Sequence, residues 1–141
     1  MLEEYAAWIG VDLSFQDFRR EVRDLPGEYA PPGGDLYIAR HGGETAGMVA
    51  FRAGPDGRAE MKRLFVRPSA RGAGVGQVLV QHVIDAARAA GYRHMVLDTL
   101  PVMQGAQRMY ERFGFRDIAP YYDSPIAGTR YLELDLTTRP E

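Results

Sequence analysis

The chain has 141 residues, 45% of them hydrophobic and 26% charged, with a net charge of −2 and no cysteine. That size and balance describe a single globular domain with a real core. They exclude disulfides, thiolate metal sites and an acyl-cysteine intermediate, and they leave no basic footprint for nucleic acid or an anionic membrane.

Leu2 to Ile9 reads as a helix with Tyr5, Ala6, Trp8 and Ile9 on its apolar side. Ser14 is a fair N-cap for a second helix, whose periodic residues are Phe15, Phe18, Val22 and Leu25, and Pro26-Gly27 ends it. A Pro- and Gly-rich loop over 29–34 follows. Asp35 to His41 is expected to be a strand, Gly42-Gly43 a tight hairpin turn and Thr45 to Arg52 its partner. Gly54-Pro55-Asp56-Gly57 makes another turn, and Ala59 to Val66 completes a meander.

After Val66 the pattern changes. Arg67-Pro68 stops the apolar run, Gly72, Gly74 and Gly76 stand at every second position, and Gly74 to Ala90 carries the apolar face of a helix that Gly91 caps. Glycines leave backbone N–H groups uncovered and permit positive φ. A helix N-terminus adds unpaired donors and partial positive charge. Together they suit a phosphate or pyrophosphate, although the same spacing also suits a tight strand-to-helix turn with no ligand. The spacing is wrong for a dinucleotide G-x-G-x-x-G loop, because Gln77 and Leu79 stand where the third glycine belongs, and no Gly-Lys-Ser/Thr of a P-loop occurs. His94 to Asp98 reads as a short buried strand, Ala106, Met109, Tyr110 and Phe113 recur at helical spacing before Gly114, and Tyr131 to Leu136 alternates as a half-buried strand does. A short tail over 137–141 closes the chain.

The loop that remains, Arg71-x-x-Gly74-x-Gly76, resembles the Q/R-x-x-G-x-G/A loop of the GNAT superfamily of acyl-CoA N-acyltransferases. Ala106-x-x-x-Tyr110-x-x-x-Gly114-Phe115 is similar to the signature that closes that family's core. Both stand in the family's order, and the resemblance covers roughly 35–136. It implies an α/β fold, a mixed central sheet with helices on both faces and a crossover helix after the loop. It also implies one domain over 1–141, with a core over 35–136 and a helical, substrate-side segment over 1–34. Family members usually begin with a strand. This chain starts inside the first expected helix, so that edge strand is expected to be missing, unless the natural start lies upstream or the meander has a different edge. Asp35 to His41 would then be an exposed edge, open to strand addition by a second copy or to aggregation.

The resemblance implies acetyl-CoA as co-substrate, no metal, and direct attack by an amine in a ternary complex. Coenzyme A would lie along Leu64, Phe65 and Val66 and on the amides of Arg71, Gly72, Ala73, Gly74, Val75 and Gly76. Met103 stands where many members carry an asparagine that contacts the pantetheine arm, and Gln104 is the residue beside it that could supply the contact. Tyr110 matches the family's leaving-group acid: a phenol with a pKa near 10 is protonated at neutral pH and can hydrogen-bond a thiolate. Packing on the inner face of its helix is the other reading of that ring. Glu60 matches the catalytic glutamate of histone-type members, a base for an amine that must lose its proton before it attacks. Its other reading is a surface partner of Lys62 on the same strand face.

By the same analogy the acceptor would lie between the first two helices and the loop before the last strand. That region offers Tyr5, Trp8, Phe15, Tyr121, Tyr122, Asp123 and Arg130. Aromatics beside a carboxylate suit a cationic amine, and Arg130 could pair with a substrate carboxylate. The acceptor is therefore expected to be the amine of a small molecule or peptide. His41, His82 and His94 are scattered and suggest no metal site. No apolar run reaches the length of a membrane span and Met1-Leu2-Glu3-Glu4 is not a signal sequence, so a cytoplasmic enzyme is expected. A non-catalytic acyl-CoA sensor and a partner-binding module are the alternatives; keeping both Glu60 and Tyr110 argues against them.

Overall fold

A computed structural model describes residues 33–101 and 104–137. The two helices expected before residue 29 lie outside the described residues, and so do Tyr5, Trp8, Phe15 and Met103. The question of a missing first strand falls there as well.

The meander forms as its turn chemistry dictates. β1 (Asp35–His41) and β2 (Glu44–Ala53) pair antiparallel, with His41 opposite Glu44. The two residues between them, Gly42 and Gly43, both have positive φ, at 61° and 82°. That is the requirement of a two-residue turn matched to strand twist. β3 (Ala59–Val66) returns antiparallel to β2. A crossover through α1 (Val75–Ala89) leads to β4 (His94–Thr99), which lies parallel to β3. Then come α2 (Gln104–Phe113), the two-residue β5 (Arg116–Asp117) and β6 (Arg130–Asp135). The sheet order is β1-β2-β3-β4-β6-β5, so among the described residues β1 and β5 are its edges. β5 was not anticipated, because two exposed residues carry no alternation to read.

α1 packs on the sheet through Leu79, Val80, Val83 and Ala87, against Val49 and Phe51 of β2, Met61 of β3 and Leu97 of β4. Burying each such side chain stabilises the fold by about 1.5–3 kcal/mol. The helix ends as expected: Gly91 has φ 96°, its N–H bonds Arg88 O at 3.0 Å, and Tyr92 N–H bonds Ala87 O at 3.1 Å. This is a left-handed glycine cap that satisfies two terminal carbonyls.

Two irregularities in β3 shape the site. Between the pairs Met48–Phe65 and Ala50–Lys62 the register shifts, so that Val49 faces two residues, Arg63 and Leu64. Arg63 takes up the extra residue at φ 61°, rare for any side chain other than glycine. The extra twist turns β3 aside, and its pairing with β4 covers only Ala59–Met95 and Glu60–Val96. Beyond that point the two strands part.

Gly47 explains how closely β2 passes the end of β3. It sits opposite Val66, and a Cβ added there would lie 2.6 Å from Phe65 O and 3.0 Å from Leu79 Cδ1. The carbonyl cannot retreat without breaking the ladder. Gly47→Ala is therefore expected to destabilise the protein by about 2 kcal/mol, the scale of overpacking in a filled core. Thermal unfolding measures it, and an unchanged Tm would show that the strands shift freely.

Candidate active site

The glycine loop forms the first part of the site. β3 ends at Val66, a short helical turn over Pro68–Ala70 redirects the chain, and Arg71 Nε donates to Val66 O at 3.1 Å. Gly72 and Gly74 have φ of 86° and 80°. Gly74 is the N-cap of α1, offers no side chain to cap it, and is followed by a first turn with no acidic residue. The N–H groups of Val75, Gly76 and Gln77 have no partner within the helix, and the helix dipole makes this end positive. Beside them lies a cleft of about 590 Å³. Leu64, Phe65 and Val66 line one side, Arg71, Gly72, Gly74, Val75 and Gly76 the loop side, and Gly105, Ala106 and Met109 of α2 the other. Ala73 and Gln104, also expected here, stand beside the lining residues in sequence but are not among them. Donors, positive potential and an apolar flank fit a phosphorylated ligand with an extended arm.

Tyr110 lies one helical turn beyond Ala106, is 5% exposed, and belongs to the core cluster. Its ring meets Phe115 edge to face, with centroids 5.6 Å apart. Phe115 N–H bonds Tyr110 O at 3.1 Å, Gly114 N–H bonds Glu111 O at 3.0 Å, and Gly114 has φ 103°. Much of the Tyr-x-x-x-Gly-Phe signature is thus a helix cap, with the hydrophobic contact that accompanies such caps. The cap accounts for the ring, the glycine and Phe115. It does not account for the hydroxyl.

The second part of the site is a polar network on the sheet face away from α1. Side chains alternate along a strand. Ala59 and Met61 therefore face α1, while Glu60 and Lys62 face the other way, in register with Arg52 on β2, Val96 and Asp98 on β4, and Tyr131 and Glu133 on β6. Glu60 is buried rather than at the surface, with 6% of its side chain exposed. Arg52 Nε donates to its Oε1 at 3.1 Å, Tyr121 Oη–H donates to its Oε2 at 3.1 Å, and Lys62 Nζ stands 4.0 Å from that second oxygen. Lys62 Nζ is also 3.5 Å from Asp98 Oδ1, while Tyr122 Oη–H donates to Asp98 Oδ2 at 2.6 Å. Tyr131 Oη–H donates to Tyr122 O at 2.9 Å, and Arg58 stacks over the Tyr121 ring while it pairs with Glu133. Burial pushes the Tyr121 and Tyr122 hydroxyls up, and the charges of Glu60 and Asp98 push them further. Both phenols stay protonated donors at neutral pH.

Of the residues expected around the acceptor, Tyr122 joins this network and Asp123 is exposed beside it. Arg130 does not join it. Its side chain leaves β6 on the face opposite Tyr131. Nε and Nη2 bind Asp117 at 3.0 and 2.9 Å, and Nη1 binds Glu111 at 2.9 Å and Gln107 at 3.2 Å. Asp117 and then Glu111 raise its pKa, and Arg130 in turn lowers that of Asp117. This guanidinium braces α2 and β5 against β6.

Residues 2–115 match the acetyltransferase (GNAT) family. The chain belongs to the GNAT family. An uncharacterised N-acetyltransferase of Schizosaccharomyces pombe is 38% identical to this GNAT chain over 139 residues, covering 97% of it and 85% of the yeast protein. The N-acetylaspartate synthetase of Danio rerio is 30% identical over 122 residues, which are 84% of this chain and 43% of that one. Among solved structures, an acetyltransferase of Streptococcus agalactiae superposes with a TM-score of 0.71 at 25% identity, over 89% of this chain and 79% of that one. The GNAT fold and an acyltransferase activity follow from these matches, and the fold implies use of an acyl-CoA.

Sequence reasoning for this GNAT domain missed Asp98, Arg52 and the bridging place of Lys62. A trace of Asp98 was present: it is the one carboxylate in its strand and directly follows the apolar run Met95-Val96-Leu97, a charge that needs a partner once buried. Lys62 is the only lysine in the chain, but nothing local says that it reaches across to the next strand. Among the described residues no group of three or more His, Asp or Glu could hold a metal, and no helix is long and apolar enough to cross a membrane.

Proposed function

We propose that this enzyme transfers an acetyl group from acetyl-CoA to the primary amine of a small molecule or peptide, by direct attack in a ternary complex. One observation carries the reading: the glycine-loop cleft is lined by Leu64, Phe65 and Val66, the stretch of β3 beyond its last pairing with β4, and Lys62 of the polar network precedes that stretch by two residues. A cofactor whose pyrophosphate sits on the amides from Arg71 to Gly76 would have its arm running along Leu64 and Val66. The network then supplies what an incoming amine needs, namely carboxylates and aromatic rings that attract an ammonium. Glu60 is assigned to take the amine proton and the Tyr110 hydroxyl to donate to the leaving sulfur. The name of the Danio rerio relative denotes an acetylated small-molecule amine, which favours a small acceptor.

The test is release of free thiol from acetyl-CoA across a panel of amines. Amine-dependent release supports the proposal. Tight acetyl-CoA binding with no release for any amine would leave a binding module instead.

Glu60→Gln tests the base. Its neighbours Arg52 and Tyr121 are both donors to the carboxylate. A glutamine can still accept from Arg52 and can donate to the tyrosine oxygen, which accepts as well as donates. Shape and the hydrogen bonds to Arg52 and Tyr121 survive, while the proton acceptor and the charge that pairs with Arg52 and Lys62 are lost. The rate is expected to fall at neutral pH and to recover partly at high pH, where more amine is already neutral, with acetyl-CoA binding unchanged. Parallel pH profiles of kcat/KM for parent and variant would assign deprotonation to water.

A further inference from the structure

Main-chain hydrogen bonds hold β3 beside β4 only as far as Glu60–Val96. Past that point the strands are bridged by side chains. Consecutive residues on the β5–β6 connection bind different strands: Tyr121 donates to Glu60 on β3 at 3.1 Å and Tyr122 to Asp98 on β4 at 2.6 Å. Lys62 stands between the same two carboxylates, at 4.0 Å and 3.5 Å. We propose that Tyr121, Tyr122 and Lys62 form a clasp across the parting of β3 and β4, and that this clasp fixes how far the strands open and so limits the length of acyl chain the enzyme accepts. The proposal rests on the reading that an acyl-CoA arm enters the cleft.

Three features make the clasp rigid. The rings of Tyr121 and Tyr122 lie 5.7 Å apart, and Tyr131 contacts both edge to face at 5.2 and 5.4 Å. Tyr131 Oη–H fixes the backbone of the connection at Tyr122 O. And the ammonium is the one lysine in a chain whose other cationic side chains are arginines. Its compact point charge stands within 4.0 Å of both carboxylates. The clasp sits just past the last paired residues, at the closed end of the gap. Further along β3 lies the cleft, lined by Leu64 and Val66 and by Ala106 and Met109 of α2. A longer acyl chain reaching inward from the cleft would have to push against the closed end. In an apolar pocket a single methylene is worth about 10- to 200-fold in discrimination, which sets the scale for a wall that an acyl chain cannot move.

The experiment measures kcat/KM for acetyl-, propionyl- and butyryl-CoA with one accepted amine, in the parent, Tyr122→Phe and Lys62→Met. Tyr122→Phe removes one hydroxyl, and Lys62→Met removes the shared charge but keeps a long apolar stem. Taking the ratio of butyryl- to acetyl-CoA cancels any effect on the amine or on general activity, which a merely structural role would also produce. The ratio is expected to rise about fivefold or more in each folded variant. A ratio that stays parental in folded variants overturns the clasp alone. Failure of both variants to fold overturns it too, because the network would then serve stability rather than acyl choice. A parent that binds no acyl-CoA overturns the functional reading, and the clasp with it.

Discussion

Tyr110→Phe is expected to lower turnover about 100-fold, the usual scale for loss of a general acid, while acetyl-CoA binds as before. The ring is held by the cap at Gly114 and by the edge-to-face contact with Phe115 at 5.6 Å. A phenylalanine keeps the contact, and the backbone bonds of the cap do not involve the side chain. The substitution removes only the hydroxyl, and thermal unfolding of the variant separates its part in stability from its part in rate. In the reaction, thiolate departs as the carbon–sulfur bond breaks and the amide bond forms, so a donor near the sulfur acts on that departure rather than on cofactor binding. Calorimetry for acetyl-CoA together with steady-state kinetics separates the two effects. Equal turnover would leave Tyr110 as a cap residue, with the sulfur protonated from solvent.

Gly76→Val is expected to weaken acyl-CoA binding tenfold at least, about 1.4 kcal/mol, with the fold intact. Gly74 looks the more obvious target, but a Cβ there meets nothing within 4 Å, and its φ of 80° strains any β-branched residue. Gly74→Val would confuse strain with blockage. At Gly76 a Cβ would stand at ordinary contact distance, 3.6 Å from Val66 Cγ2 and 3.7 Å from Met109 Cε. Those atoms belong to opposite walls of the cleft. The valine methyls would thus fill the passage between β3 and α2 without crowding the backbone. Parent-like affinity in the folded variant would move the cofactor away from this loop.

The fold was legible where local chemistry speaks for itself. The Gly42-Gly43 turn, the glycine loop and the two glycine-capped helices each announce themselves within a few residues, and their strands and helices lie where the patterns put them. The polar network was only half legible. Glu60, Tyr121 and Tyr122 were marked by position, but which groups meet was not: Tyr121 is 61 residues from Glu60, and Tyr122 is 24 from Asp98. Which carboxylate meets which phenol depends on strand order, and strand order is not a local property. Arg130 shows the same limit from the other side. An arginine on a terminal strand reads as available until Asp117 and Glu111 are folded against it. The bulge at Arg63 left no mark at all, because arginine is not a residue that advertises positive φ.

The place of β6 has a consequence for how the molecule is made. The last strand along the described chain lies inside the sheet, between β4 and β5. Until Arg130–Asp135 has been synthesised and is free to move, β4 has an unpaired side and β5 has no partner. Tyr131, which steadies both tyrosines of the polar network, arrives with the same strand. A growing chain can close its meander and lay α1 on it early, since those contacts are close in sequence, but the reactive half must wait for this late insertion. An unfinished or prematurely ended copy would carry a formed glycine loop and an incomplete polar network, with an open strand edge that invites other chains.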